Sequence, residues 1–194
     1  LNKSVKSLGT PLELNQLYAD GQTLSPKLSI AIVTAEFQGL GHSGGIGSAY
    51  RELATTLSEA GHQVRLILIS SCKDINIKSI DFTEATLIDP EGISRLDLIR
   101  KVNFAIKDSH SEVVHIHEWL GLGSGLKEAL GEDAPHLIVG LHGPSAWTRT
   151  GNPWEKTKDG GIAIEESSLY EEGLIRALEE DTISQSDILL SPST

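Results

Sequence analysis

Apolar positions along the chain alternate between two rhythms. Short β-branched runs read as strands: LSIAIVTAEF (28–37), bounded by Pro26 and Gly39, then HQVRLILIS (62–70), EVVHIH (112–117), HLIVGL (136–141) and DILLS (187–191), with EATLID (84–89) as a weaker one. Between them the spacing changes to that of helices. Ile46, Ala49, Tyr50, Leu53, Ala54, Leu57 and Ala60 share one stripe, and Gly61 supplies a left-handed cap. Ser94 can cap a second helix that carries Leu96, Ile99, Val102 and Ile106 on one side. LGLGSGLKEAL (120–130) leads into a third, ended by Gly131 and Pro135, and a fourth runs from about Ser167 to Gln185. Residues 143–165 form a long polar loop with Trp147 and Trp154, and residues 1–28, without sustained period, read as a linker or extension ahead of a domain spanning 29–194.

The runs IAIV, LILI and LIVG are apolar at consecutive positions, so both of their faces must be covered. Alternation of such strands with helices predicts an α/β domain: a doubly wound, mostly parallel, Rossmann-like sheet. Ligands of such sheets bind beyond the carboxyl ends of the strands, which is where functional residues are expected.

Composition narrows the field. The 194 residues suit one well-buried domain. The net charge of −11 argues against nucleic acid, and no apolar run is long enough to cross a membrane. A single cysteine, Cys72, excludes an internal disulfide and a cysteine zinc cluster and fits a cytoplasmic setting. The chain starts at Leu1 and contains no methionine, as expected of a piece of a longer protein.

Three stretches could carry chemistry. GLGHSGGIGSAY (39–50) places five glycines at the junction of the first strand and the first helix. Gly39 to Gly44 matches G-x-G-x-x-G, but the second strand ends LILISSC, with no carboxylate before Asp74 for a dinucleotide ribose. Two readings remain: a tight turn, or an anion site in which Gly44 and Gly45 let backbone N–H groups approach a phosphate at a helix N-terminus. His115 and His117 are two apart on one strand and therefore share a face, where His142 could join them around a metal ion. The bland alternative makes His115 a hydrogen-bonded core histidine and leaves function to His117 and Glu118 at the strand end. His142-Gly143-Pro144 ends the next strand and presents its histidine to a cleft, or simply makes a turn. Trp147 and Trp154 could wall a sugar or lipid site, or anchor their loop.

Taken in order, SGGIGSAYRELATTLSEAGHQVRLI, VVHIHEWLG, IVGLHG and EEDTISQSDILLSPS resemble the N-terminal domain of retaining glycosyltransferases of family 4, which have the GT-B double-Rossmann architecture. Glycogen and starch synthases are similar but usually carry a lysine before the paired glycines, where Ser43 stands here. The resemblance implies that this domain holds a carbohydrate or lipid-linked acceptor. A second domain, absent from this chain, would bind most of the nucleotide-sugar donor, so the piece alone would be inactive. It also implies that Ser43, Gly44 and Gly45 lie against the donor diphosphate. His142 with Gly143 would stand beside the reacting sugar, His142 as the catalytic group. His117, Glu118 and Trp119 would shape the substrate side. No essential metal or other cofactor is implied. A non-catalytic nucleotide- or sugar-binding module is the alternative, and a metal-dependent hydrolase using His115, His117 and His142 a third.

Overall fold

The structure is a computed structural model and describes residues 26–40, 44–71, 84–143 and 166–191, with side chains in the last stretch from Glu172 onward. Its strands are β1 (Ser29–Thr34), β2 (Gln63–Ile69), β3 (Glu84–Ile88), β4 (Val113–His117), β5 (His136–Gly140) and β6 (Ile188–Leu190). Its helices are α1 (Gly45–Glu59), α2 (Arg95–Ser109), the short α3 (Leu126–Leu130) and α4 (Glu166–Ser184). The six strands form one sheet in the order β3-β2-β1-β4-β5-β6, every pair parallel. This is the doubly wound, Rossmann-like arrangement, and the chain reverses its direction of winding between β1 and β4.

The two-sided apolar strands do what their pattern requires. On β1, Ala31 and Val33 point to a core that includes Ile67, Val102, Val114 and Ile116, while Ile32 points to another built with Leu66, Leu68, Tyr50 and Ala54. The first core lies under α2 and the second under α1. Gly61 caps α1 at φ 85°, as its position predicts. Ser94 caps α2, its side chain accepting the Asp97 N–H at 3.2 Å. Leu96 is a correction: it is exposed, and Leu98 takes its place beside Ile99, Val102 and Ile106. At about 100° per residue, Leu96 lies roughly 100° from the centre of the buried stripe.

The segment after β4 also departs from expectation. It opens with a 3₁₀ turn over Trp119–Gly121 and delays its helix to the five residues of α3. Glycines there admit α4 at close range. A Cβ on Gly121, at φ 63°, would collide with Leu178, and one on Gly123 would stand 2.9 Å from the Thr182 methyl. Polar residues of α4 and the turn after it tie the segment down. Glu179 accepts the Leu120 N–H at 3.2 Å, Asp181 accepts the Gly125 N–H at 2.9 Å, and Gln185 accepts the Lys127 N–H at 2.8 Å. Asp187 binds the Leu137 N–H of β5 at 2.7 Å. The acidic EEDTISQSD stretch is thus a set of backbone clamps. Trp147, Trp154, Cys72 and almost all of the expected N-terminal extension lie outside the described residues.

Candidate functional site at the carboxyl edge of the sheet

The winding reverses between β1 and β4, the place where doubly wound sheets take ligands beyond the carboxyl ends of their strands, and α1 begins there. Gly44 is the residue before its first turn, and that turn has no acidic side chain of its own. A carboxylate from elsewhere occupies the place: the Gly44 N–H donates to Glu36 Oε2 at 2.7 Å. Thr34 at the end of β1 positions Glu36, its hydroxyl accepting the Glu36 N–H at 3.1 Å and donating to the Glu36 carbonyl at 2.8 Å. A negative group at a helix N-terminus is favourable, so the anion-attracting end of α1 is already served by the protein itself.

Beside it, four rings meet on the α1 face of the sheet. Tyr50 on α1 packs edge-on against His115, with ring centroids 5.3 Å apart, and against His117 at 5.9 Å. Its ring also lies 5.8 Å from that of His142, and the His117 and His142 rings are 6.4 Å apart. Registry explains the assembly. His117 pairs with Gly140 on β5, and the bare Cα of Gly140 leaves room for the imidazoles. A Cβ there would come within 3.1 Å of His142 Nε2 and 3.5 Å of His115 Cε1.

Glu118 holds the turn that carries His142. It is completely buried, and both its oxygens face backbone: the His142 N–H donates to them at 2.9 and 3.0 Å, and the Gly143 N–H donates to Oε1 at 2.7 Å. Gly143 has φ 116°, which a residue with a side chain adopts only under strain. The turn therefore depends on a glycine and on one carboxylate 24 residues earlier in the chain. Leu141 adds a bond from its N–H to Leu190 of β6 at 2.7 Å.

Burial sets the electrostatics. It pushes the His115 imidazole down to about 4, with the nearby His142 adding to the effect. It pushes His117 down to about 3, helped by His142 and less by His115, while the Trp119 backbone opposes this, without hydrogen-bond geometry to either ring nitrogen. Both rings are thus neutral near pH 7. Burial, with the Glu118 charge adding to it, raises the Tyr50 hydroxyl, which stays protonated. Tyr50 Oη, His115 Nδ1 and both ring nitrogens of His117 are buried without a hydrogen-bond partner.

The expected site residues divide as follows. Gly44, His117, Glu118, Trp119, His142 and Gly143 do converge on this edge, with Gly45 opening α1, while Ser43 lies outside the described residues. His142 is exposed and Trp119 partly buried, its ring 5.9 Å from that of His117. The expected burial of the two strand histidines is corrected: His117 is fully buried, whereas His115 keeps some exposure and its Nδ1 is not hydrogen-bonded. Glu118 faces backbone rather than the crevice. Among the described residues no three histidine, cysteine or acidic side chains are grouped so as to hold a metal ion. The sequence pattern did not reveal Glu36, Gly140 or the place of Tyr50 among the three histidines. Tyr50 was legible only as one more apolar position on the stripe of α1.

Comparisons with known proteins agree with this architecture. The family described as Glycosyltransferase Family 4 matches residues 43–193. No curated protein matches the chain. Among solved structures, sucrose-phosphate synthase from Thermosynechococcus elongatus is similar, with a TM-score of 0.51 at 13% identity, over 84% of this chain and 42% of that one. The catalytic domain of starch synthase IV from Arabidopsis thaliana, bound to ADP and acarbose, gives a TM-score of 0.45 at 15% identity, over 60% of this chain and 34% of that one. The chain thus spans less than half the length of either structure.

Proposed function

Because this chain belongs to glycosyltransferase family 4, we propose that it is the acceptor-side, N-terminal half of an enzyme that transfers a sugar from a nucleotide-sugar donor with retention of anomeric configuration. The observation that carries this reading is the placement of His142. It is an exposed imidazole at the carboxyl edge of the sheet, held by a turn whose two N–H groups Glu118 binds and whose ring rests on Tyr50. Side chains at such an edge face the ligand crevice.

In this reading His142 hydrogen-bonds the transferring sugar as positive charge builds at its anomeric carbon. The gain is largest in the transition state, so it belongs to kcat. Glu118 is engaged with backbone and takes no proton. Basic side chains of a second domain offset the charge of the departing nucleotide, and the reaction uses no metal. The acceptor is a carbohydrate or a lipid-linked sugar.

The test uses the full-length protein and a panel of nucleotide sugars. His142→Ala is expected to lower kcat by the equivalent of about 2.7–4 kcal/mol, with donor KM and thermal stability nearly unchanged. Wild-type turnover in that variant would remove His142 from the chemistry. Absence of transfer from every nucleotide sugar by the wild type would overturn the reading in favour of a binding module.

A further inference from the structure

Tyr50 is an expensive choice for its position. It is 1% exposed, and its hydroxyl has no hydrogen-bond partner. Phenylalanine would fill the same space without burying an unpaired polar group, so packing alone does not explain the hydroxyl. Its surroundings differ from an ordinary core. The ring touches His115, His117 and His142 at once, and it projects from α1 one and a half turns beyond Gly44. It is the one described side chain whose ring contacts join the helix behind the glycine loop to all three imidazoles. Groups left unsatisfied at a functional edge point to a partner that arrives with the ligand-bound state.

We propose that Tyr50 is a positioning residue for His142: its ring seats the His142 imidazole at the mouth of the crevice, and its hydroxyl takes up a hydrogen bond when the crevice is occupied. The inference rests on the reading of His142 as the group beside the reacting sugar. The backbone of His142 is fixed separately by Glu118, so Tyr50 governs the side chain and not the turn. None of the described groups around it binds the hydroxyl, so it is not committed to a fixed carboxylate.

Two substitutions in the full-length protein test this. Tyr50→Phe keeps the ring and removes the hydroxyl. It is expected to raise the melting temperature, because a buried unpaired group is gone, while lowering kcat about tenfold and changing donor KM less than twofold. A purely structural tyrosine would give unchanged kcat per folded molecule, and that result overturns the role of the hydroxyl. Tyr50→Leu tests the ring through NMR of the imidazole protons, which needs no substrate. The wild type should show nuclear Overhauser contacts from His142 to the rings of Tyr50 and His117, and the leucine variant should lose the His142–His117 contact. Retention of that contact, or absence of the His142–Tyr50 contact from the wild type, overturns the proposal whatever the activity. If the leucine variant does not fold, the phenylalanine variant decides. A failure of the glycosyltransferase reading shows differently, as absence of transfer by the wild type with the imidazole contacts in place.

Discussion

Glu118 illustrates how much one side chain can determine. Its carboxylate is the acceptor for both the His142 and Gly143 N–H groups, from a position with no exposure to solvent. Glu118→Ala would strand two backbone donors and is expected to cost about 1–3 kcal/mol in urea unfolding. Glu118→Gln should cost less, because a carbonyl in place of Oε1 keeps the 2.7 Å bond to Gly143. If the alanine variant matched the wild type in stability, the turn would have to be held by something else. The sequence presented Glu118 as a strand-end residue open to substrate. It is met there by the turn that follows the neighbouring parallel strand β5, which no local pattern reports.

At the scale of elements, two contacts place the site. The first is α4 on the turn after β4, possible only because Gly121 and Gly123 lack side chains. Gly121→Ala combines a left-handed backbone, about 1–2 kcal/mol, with overpacking against Leu178, about 1–3 kcal/mol. The expected result is a large fall in melting temperature, and a neutral outcome would mean that α4 does not seat there. The second is Glu36 at the start of α1. On the proposed reading the donor diphosphate approaches the same N–H groups, so the carboxylate opposes it. Glu36→Gln keeps an acceptor for Gly44 and removes the charge. Donor KM should fall roughly fivefold, the equivalent of about 1 kcal/mol. An unchanged or higher KM would show that the phosphates bind elsewhere. The glycines of this loop were conspicuous in the sequence, but their use of Glu36 was not. The contact joins two residues eight apart in sequence, a separation at which no helical or strand period brings side chains together.

For the molecule as a whole, the buried histidines make stability depend on pH. Their folded values, about 4 for His115 and about 3 for His117, lie below the ordinary 6.5. The unfolded chain therefore binds more protons in between, so stability rises with pH across that window. The contribution is complete above about 6.5 and is lost progressively as the pH falls toward about 4 and then about 3. Urea midpoints measured from pH 7 to 4.5 should decline, and His115→Gln should flatten part of the slope. A flat profile in the wild type would mean that these rings are solvated. Asp187 acts in the same direction at lower pH. Burial raises its carboxyl, but Lys127 and the Leu137 N–H together hold it below the ordinary 3.8, and their support is lost on further acidification.

Periodicity alone determined most of the elements here. Strands with consecutive apolar runs, such as LILI in β2 and LIVG in β5, had to lie inside a covered parallel sheet, and Ser94 and Gly61 marked helix ends by chemistry local to them. The family pattern pointed to the carboxyl edge of the sheet, and its residues from Gly44 to Gly143 are brought together there because the strands run parallel. Tertiary structure alone decided what happens at that edge. Gly140 makes room for two imidazoles across a strand pair, Tyr50 reaches three histidines from a helix, and Glu118 binds a turn 24 residues away. These relations depend on registry between strands and on the seating of α1, both set by long-range packing. A sequence read in windows sees the apolar period of Tyr50 and the charge of Glu118, but not the neighbours that turn the first toward His142 and bury the second.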